Sequence, residues 1–156
     1  MKLSPNFSLD ELTHSEIAVR RGIDNTPDAD MLANLQMLAE GMERVRAVLG
    51  YPVPISSGYR SPEVNAAVGG SVASSHLRGL AADFTCPGFG TPRDVALALV
   101  THAGTIQFDK LILEFDKWVH IQFSKEPRRI VLTAQHGANW ATKYVNGIVY
   151  EKPLAA

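Results

Sequence analysis

The sequence predicts an α+β fold in which a small antiparallel sheet is flanked by helices. Residues 31–49 place apolar side chains at the spacing of a helix that buries one face. Residues 106–124 contain two apolar segments separated by Asp116 and Lys117, a pattern typical of a β-hairpin. The chain has 156 residues and is 46% apolar, which is enough for one domain with a buried core.

A long helix is the clearest element of the sequence. Thr26 is its expected N-cap, Pro27 its first helical residue and Gly50 its end. A short helix near residues 9–14 is expected to precede it, because the residues from Ser8 onward match a capping box. The apolar residues at helical spacing in the long helix predict a face that packs on the sheet: Met31, Leu32, Leu35, Leu38, Met42, Val45 and Leu49.

The middle of the chain is expected to alternate short strands with helical turns. Residues 53–60 predict a short strand at the sheet edge that runs into a turn, because Pro54 cannot donate a ladder hydrogen bond. Residues 62–68 predict one or two helical turns. Residues 80–85 predict another strand, and residues 87–90 predict the turn that follows it.

The C-terminal half is expected to hold a second helix followed by strands. The helix opens at Thr91 and Pro92, runs to about His102 and is closed by Gly104. Strands are expected over residues 106–115, 118–124 and 129–134, with a small hairpin around Asn146 and Gly147 within residues 144–150.

The composition argues against several classes of protein. A net charge of −1 gives no bulk attraction to nucleic acid or to an anionic membrane. The single cysteine, Cys86, forms no internal disulfide and is too few for a zinc finger. No segment approaches the ~20 apolar residues of a membrane span, and residues 1–6 have no apolar signal region. We expect a monomer that is made in the cytoplasm, binds no nucleic acid and does not insert stably into a membrane.

Two histidines and one aspartate, His76, Asp83 and His120, predict a metal site. A catalytic zinc ion takes three protein ligands of these types and keeps a fourth position open. His76 and Asp83 are seven residues apart, which is about 10 Å along a straight helix. Ligands of one zinc must lie within ~4 Å of one another. We therefore expect the chain to fold back at the flexible corner of Arg78 and Gly79.

Strand alternation predicts how these side chains face. Asp83 shares a face with Ala81, which is small enough to leave room beside the carboxylate. His120 shares a face with Trp118 and Gln122, whereas the apolar residues between them face the core. Either histidine alone would fit a structural role, but the three residues together favour a metal site.

A zinc hydrolase also needs a base that accepts a proton from water and passes it to the leaving amine. Glu114 ends an apolar strand, where a lone carboxylate is costly unless it is used, so we prefer it. Asp116 is the other candidate, although it fits a turn equally well. Arg60 could hold a substrate carbonyl or carboxylate and a developing oxyanion, or could be a surface arginine.

These residues resemble the zinc D-alanyl-D-alanine peptidase family, the peptidoglycan-cleaving enzymes that share their fold with the Hedgehog signalling domain. The Ser-x-His-x-x-Gly-x-Ala-x-Asp motif of the family is matched by Ser74–Asp83. Its later histidine is matched by His120, and its Ser-Gly-Tyr-Arg segment by Ser57–Arg60. The similarity looks closest to the single-domain, phage-associated branch, through residues 7–12 and 21–25.

The resemblance covers about residues 5–125 of a single domain that spans residues 1–156, with residues 126–156 as a C-terminal extension. It implies that a zinc ion, Zn2+, is bound by the two histidines and the aspartate, with the arginine near the scissile bond. It also implies that stem peptides or cross-links of bacterial peptidoglycan are the substrate. The expected substrate-binding residues belong to the same segments: Ser74, Tyr59 and Trp118.

One position departs from the family pattern. Many members carry the catalytic carboxylate three residues before the last histidine, where this chain has Lys117. The base must then be Glu114 or Asp116. If neither reaches the metal, the chain could be a zinc-containing domain without activity.

The sequence thus supports three functions. The first is zinc-dependent hydrolysis of peptide bonds in peptidoglycan, as an endolysin-like enzyme or a DD- or LD-carboxypeptidase. It would act on the cell wall after release, through a phage holin or as a virion component. The second is a non-catalytic wall-binding or virion structural domain. The third is a cytoplasmic hydrolase of small dipeptides, which the lack of a signal region permits.

Overall fold

A long helix, a six-stranded sheet and several short helices make up residues 1–149, the part of the chain described by the computed structural model. The helices are α1 (Leu9–Thr13), α2 (Glu16–Arg21), α3 (Ala29–Leu49), α4 (Pro62–Ala67), α5 (Pro92–Thr101) and α6 (Ala103–Ile106). The strands are β1 (Ile55–Ser57), β2 (Ala81–Phe84), β3 (Lys110–Glu114), β4 (Trp118–Gln122), β5 (Ile130–His136) and β6 (Thr142–Asn146). The predicted α+β class is confirmed.

The sheet is mixed, whereas the sequence predicted an antiparallel sheet. Its strand order is β1-β2-β4-β3-β5-β6, and β3 and β5 run parallel while the other neighbours run antiparallel. The end of β4 at Gln122 lies beside the start of β3 at Lys110. The connection over residues 123–129 therefore stays at that end of the sheet. It starts β5 beside Lys110, in the same direction as β3.

Helix α3 begins later than predicted. Asp28, not Thr26, is its N-cap, because the Asp28 carboxylate accepts a hydrogen bond from the backbone N–H of Met31 at 2.9 Å. Pro27 consequently lies outside the helix. Gly50 ends α3 in the left-handed conformation, with φ of 73°, as predicted. The predicted apolar face packs in the core, with its central residues Leu35, Leu38, Met42 and Val45 fully buried.

The remaining helices agree in part with the predictions. The capping box of α1 is present, whereas α2 was not predicted. Thr91 caps α5 as expected, but Gly104 lies inside α6 and does not end a helix. Helix α6 ends instead at Gln107, whose φ is 58°. The strand predicted from Ile106 therefore begins only at Lys110.

The C-terminal strands differ most from the prediction. Strand β5 was expected. Strand β6 pairs with β5, and residues 137–141 form the connection between them. It does not form the predicted hairpin around Asn146 and Gly147. Tyr150, the last residue of that prediction, lies outside the described residues.

The two faces of the central strands have opposite character. On one face Ala82, Phe84, Val119 and Ile121 are fully buried in the core that contains the residues of α3. The other face carries polar side chains, as alternation predicted. In residues 1–149 no helix combines the length and apolar character that a membrane crossing requires.

Candidate metal centre

A short 3-10 helix over Ser75–Arg78 presents His76 to the polar face of the sheet. The Ser74 hydroxyl caps it by accepting a hydrogen bond from the backbone N–H of His76 at 3.2 Å. Gly79 ends it with φ of 70°, a left-handed conformation that favours glycine. This corner returns the chain directly into β2, as the spacing of His76 and Asp83 required.

Asp83 and His120 face each other across the pairing of β2 with β4. His120 Nδ1 is 3.0 Å from Asp83 Oδ1, and His76 Nε2 is 3.3 Å from Asp83 Oδ2. One ligand atom from each of the three residues lies within 4.8 Å of the others, and all three residues are buried. The structure therefore brings the predicted ligands together, and they form a candidate metal site.

Both imidazole rings are oriented by a second hydrogen bond. His76 Nδ1 donates to the carbonyl of Gly58 at 2.7 Å, so Nε2 is the nitrogen that faces Asp83 and is available to a metal ion. His120 Nε2 lies 3.1 Å from Gln122 Oε1, so its Nδ1 faces the cluster. Metal-binding histidines use their outer nitrogen in this way. The donor types, the distances and the ring orientations all fit a bound metal ion.

The charge of Asp83 is held in place by its neighbours. Burial alone would raise its pKa, but hydrogen bonds and charge from His120 and His76 outweigh burial, so the pKa lies well below its ordinary value. Arg60 adds a guanidinium 3.7 Å from Asp83 Oδ2. Asp83 is therefore ionised, which is the form that binds a metal cation.

The structure separates the two candidates for the base. Glu114 Oε1 lies 4.0 Å from His120 Nδ1, and the side chain lines the cavity above the cluster. Burial, and then the charge of Asp83, raise the pKa of Glu114 above its ordinary value. Asp116 instead pairs with Arg93 at the start of α5, with an Nη2–Oδ2 distance of 2.8 Å. The structure does not bring Asp116 to the cluster.

Arg60 reaches the cluster and is held there from two sides. Its Nη1 donates to Asn65 Oδ1 at 3.0 Å and its Nε donates to Ser57 Oγ at 3.3 Å. Gly70 packs against this arrangement, and a Cβ at that position would collide with Asn65 Oδ1. The Arg60 guanidinium is therefore fixed beside Asp83 rather than free on the surface.

The predicted substrate-binding residues are divided between two depressions. Ser74 and Trp118 line a cavity of about 440 Å³ around the metal cluster, together with Lys110 and Tyr144. The indole Nε1 of Trp118 is buried and has no hydrogen-bond partner among residues 1–149. Tyr59 is buried and lines a neighbouring groove on the other side of Arg60.

Several residues that position the site were missed from the sequence. Alternation along β3 back from Glu114 could have placed Lys110 at the cavity, but the position of Lys110 before an apolar strand also fits an edge or turn pair. Alternation placed Gln122 on the correct face without giving it a role. No sequence pattern indicated Asn65 or the carbonyl of Gly58, since their contacts depend on how distant segments meet.

A family model described as Peptidase M15 matches residues 5–122. A search of curated proteins finds no match.

Proposed function

Because this chain belongs to the peptidase M15 family, we propose that it is a zinc peptidase that hydrolyses peptide bonds in bacterial peptidoglycan. The convergence of His76, Asp83 and His120 beside a half-buried carboxylate carries the proposal. These three residues would hold Zn2+ through two ring nitrogens and one carboxylate. A zinc ion bound there supplies Lewis-acid polarisation to water and to a substrate carbonyl.

Glu114 is the proposed general base. Its carboxylate lies on the cavity side of the cluster, within 4.0 Å of His120 Nδ1. It would accept the proton of the attacking water and return it to the leaving amine. The raised pKa of Glu114 suits this second step, because a carboxylic acid of higher pKa holds its proton until the amine leaves.

Arg60 is proposed to bind the substrate oxygen that gains negative charge. Asn65 and Ser57 fix its guanidinium before substrate arrives, so little reorganisation is needed in the transition state.

The substrate class rests on the resemblance of the two motifs to peptidoglycan-cleaving enzymes. Arg60 and Lys110 both line the cavity and supply positive charge, which suits the carboxylates of a stem peptide. Action on the cell wall would follow release from the cytoplasm, through a phage holin or as part of a virion.

The non-catalytic alternative arose because Lys117 occupies the position of the usual carboxylate. Glu114 lies close enough to the cluster to replace that carboxylate, which favours an active enzyme. A hydrolase of small dipeptides uses the same residues and differs only in substrate size.

The test is hydrolysis of purified peptidoglycan with and without a chelator. We expect chelation to abolish the release of peptide fragments, and added zinc to restore it. Mass spectrometry of the fragments identifies the bond that is cleaved, and a parallel assay with soluble D-Ala-D-Ala tests the dipeptide alternative. Activity that survives both chelation and His76→Ala would remove the proposed mechanism.

A further inference from the structure

We infer that Gln122, Asp109 and Arg128 form a positioning relay that makes Nδ1 the metal-binding nitrogen of His120. The inference rests on the proposed function, because it concerns His120 as a metal ligand. Asp109 directly precedes β3, and Arg128 lies in the connection between β4 and β5. In the structure their side chains link the segment after β4 to the candidate metal centre.

The relay is continuous and mostly buried. Gln122 Oε1 lies 3.1 Å from His120 Nε2, and Gln122 Nε2 donates to Asp109 Oδ2 at 3.1 Å. Arg128 then donates three hydrogen bonds to the Asp109 carboxylate, from its backbone N–H at 3.0 Å, Nε at 2.9 Å and Nη2 at 2.8 Å. His120, Gln122 and Asp109 are 8%, 7% and 4% exposed.

The backbone keeps the Asp109 carboxylate at the end of the relay. The N–H of Asp109 donates to the carbonyl of Gln122 at 2.8 Å, and its carbonyl accepts from the N–H of Ile130 at 2.9 Å. Asp109 is thereby joined to β4 on one side and to the start of β5 on the other. Its side chain has little freedom to turn away.

The polarity of the relay can run in only one direction. Hydrogen bonds from Arg128 hold the pKa of Asp109 well below its ordinary value, so its carboxylate only accepts. The NH2 group of Gln122 must then face Asp109, and the Gln122 oxygen must face His120. That oxygen also only accepts, so His120 Nε2 must carry a proton. Nδ1, the nitrogen that faces Asp83, is then the ring nitrogen that can release its proton and bind a metal ion.

Asp109→Asn tests the polarity with almost no change in shape. The new side-chain amide at this position would offer a donor to Gln122, so the Gln122 amide would turn and present its NH2 group to His120. That orientation opposes a proton on Nε2 and therefore opposes metal binding through Nδ1. We expect zinc affinity to fall by about 10–100-fold, the range for loss of an outer hydrogen bond to a metal-binding histidine.

The double variant Asp109→Asn/Gln122→Glu is the rescue. A carboxylate at position 122 accepts from both His120 Nε2 and the new amide at position 109, so the polarity is restored. We expect the zinc affinity of this variant to recover most of the loss. A purely structural role of Asp109 predicts no recovery, because the double variant carries one more substitution in a buried strand.

Zinc affinity is measured by competition with a chelating indicator, and folding of each variant by its thermal melting curve. Gln122→Met, which removes the acceptor, should lose affinity to the same extent as Asp109→Asn. Its matched control is Gln135→Met on β5, which should bind zinc like the parent. If Asp109→Asn does not fold, the zinc affinity of Gln122→Met tests the relay in its place.

The ring nitrogens are read directly from a long-range 1H–15N spectrum of the zinc-loaded parent, labelled in histidine. We expect His120 bound through Nδ1 and His76 bound through Nε2. Coordination of His120 through Nε2, or full zinc affinity in Asp109→Asn and Gln122→Met, overturns the relay while leaving the proposed peptidase intact. A parent that binds no zinc overturns both proposals.

Discussion

Replacing Glu114 by Gln tests the base in the proposed mechanism. Gln keeps the size of Glu but cannot accept a proton from water. Glu114 Oε1 lies 4.0 Å from His120 Nδ1 and the side chain is only 19% exposed, so another group cannot easily take its place. We expect E114Q to reduce kcat by about 10²–10⁴-fold, the range for a positioned base. This corresponds to about 3–5 kcal/mol of transition-state stabilisation.

Asp116→Asn is the matched control from the same hairpin. Asp116 pairs with Arg93, and the two side chains are 35% and 30% exposed. An ion pair of that exposure contributes at most about 1 kcal/mol, so Tm should fall by no more than about 4 °C. Because the Asp116 carboxylate lies at α5 and not at the cluster, kcat should stay within about twofold of the parent.

The assay measures new amino groups released from purified peptidoglycan, with every protein loaded to the same zinc content. Equal zinc content separates loss of the base from loss of the metal. If E114Q keeps more than about a tenth of the parent rate, or if D116N is the more damaged variant, Glu114 is not the base and the reasoning is refuted.

Three further predictions concern the surroundings of the site. Gly58→Ala places a Cβ against the backbone carbonyl of Leu12. Thermal melting should therefore show a loss of about 1–3 kcal/mol in folding stability, and zinc titration should show a weaker affinity. Unchanged stability and unchanged affinity would contradict this prediction. Asn65→Ala removes a hydrogen bond from Arg60, so kcat/KM should fall about tenfold, the equivalent of about 1.4 kcal/mol, while zinc affinity stays constant. The pKa of Asp109 is lower in the folded protein than its ordinary value of 3.8. The ionised carboxylate therefore stabilises the fold above pH 3.8, and this stabilisation is lost as the pH falls below that value. In urea titrations, the parent should therefore have a higher free energy of unfolding than Asp109→Asn, and this difference should narrow from about pH 5 to about pH 3. A difference that stays constant over this range would contradict the prediction.

The sequence predicted local elements well where side-chain spacing alone decides them. Helix α3 and the pair of β3 with β4 follow from periodicity, because one face of each must be buried. The N-cap of α3 was misplaced because Thr26 and Asp28 are both suitable caps, and only the hydrogen bond to Met31 distinguishes them. The pairing of β6 with β5 could not be predicted, since strand partners depend on where the preceding connection leaves the chain.

For the candidate site, the sequence by itself determined the ligand types, the corner between His76 and Asp83, and the face on which His120 lies. These follow from residue chemistry and from the period of a strand, both of which are local. Only the tertiary structure showed that Glu114 and not Asp116 lies at the cluster, because the hairpin turn directs one carboxylate to His120 and the other to Arg93. It alone also joined Gly58, Asn65 and Asp109 to the site, since hydrogen bonds between distant segments leave no periodic pattern in the sequence.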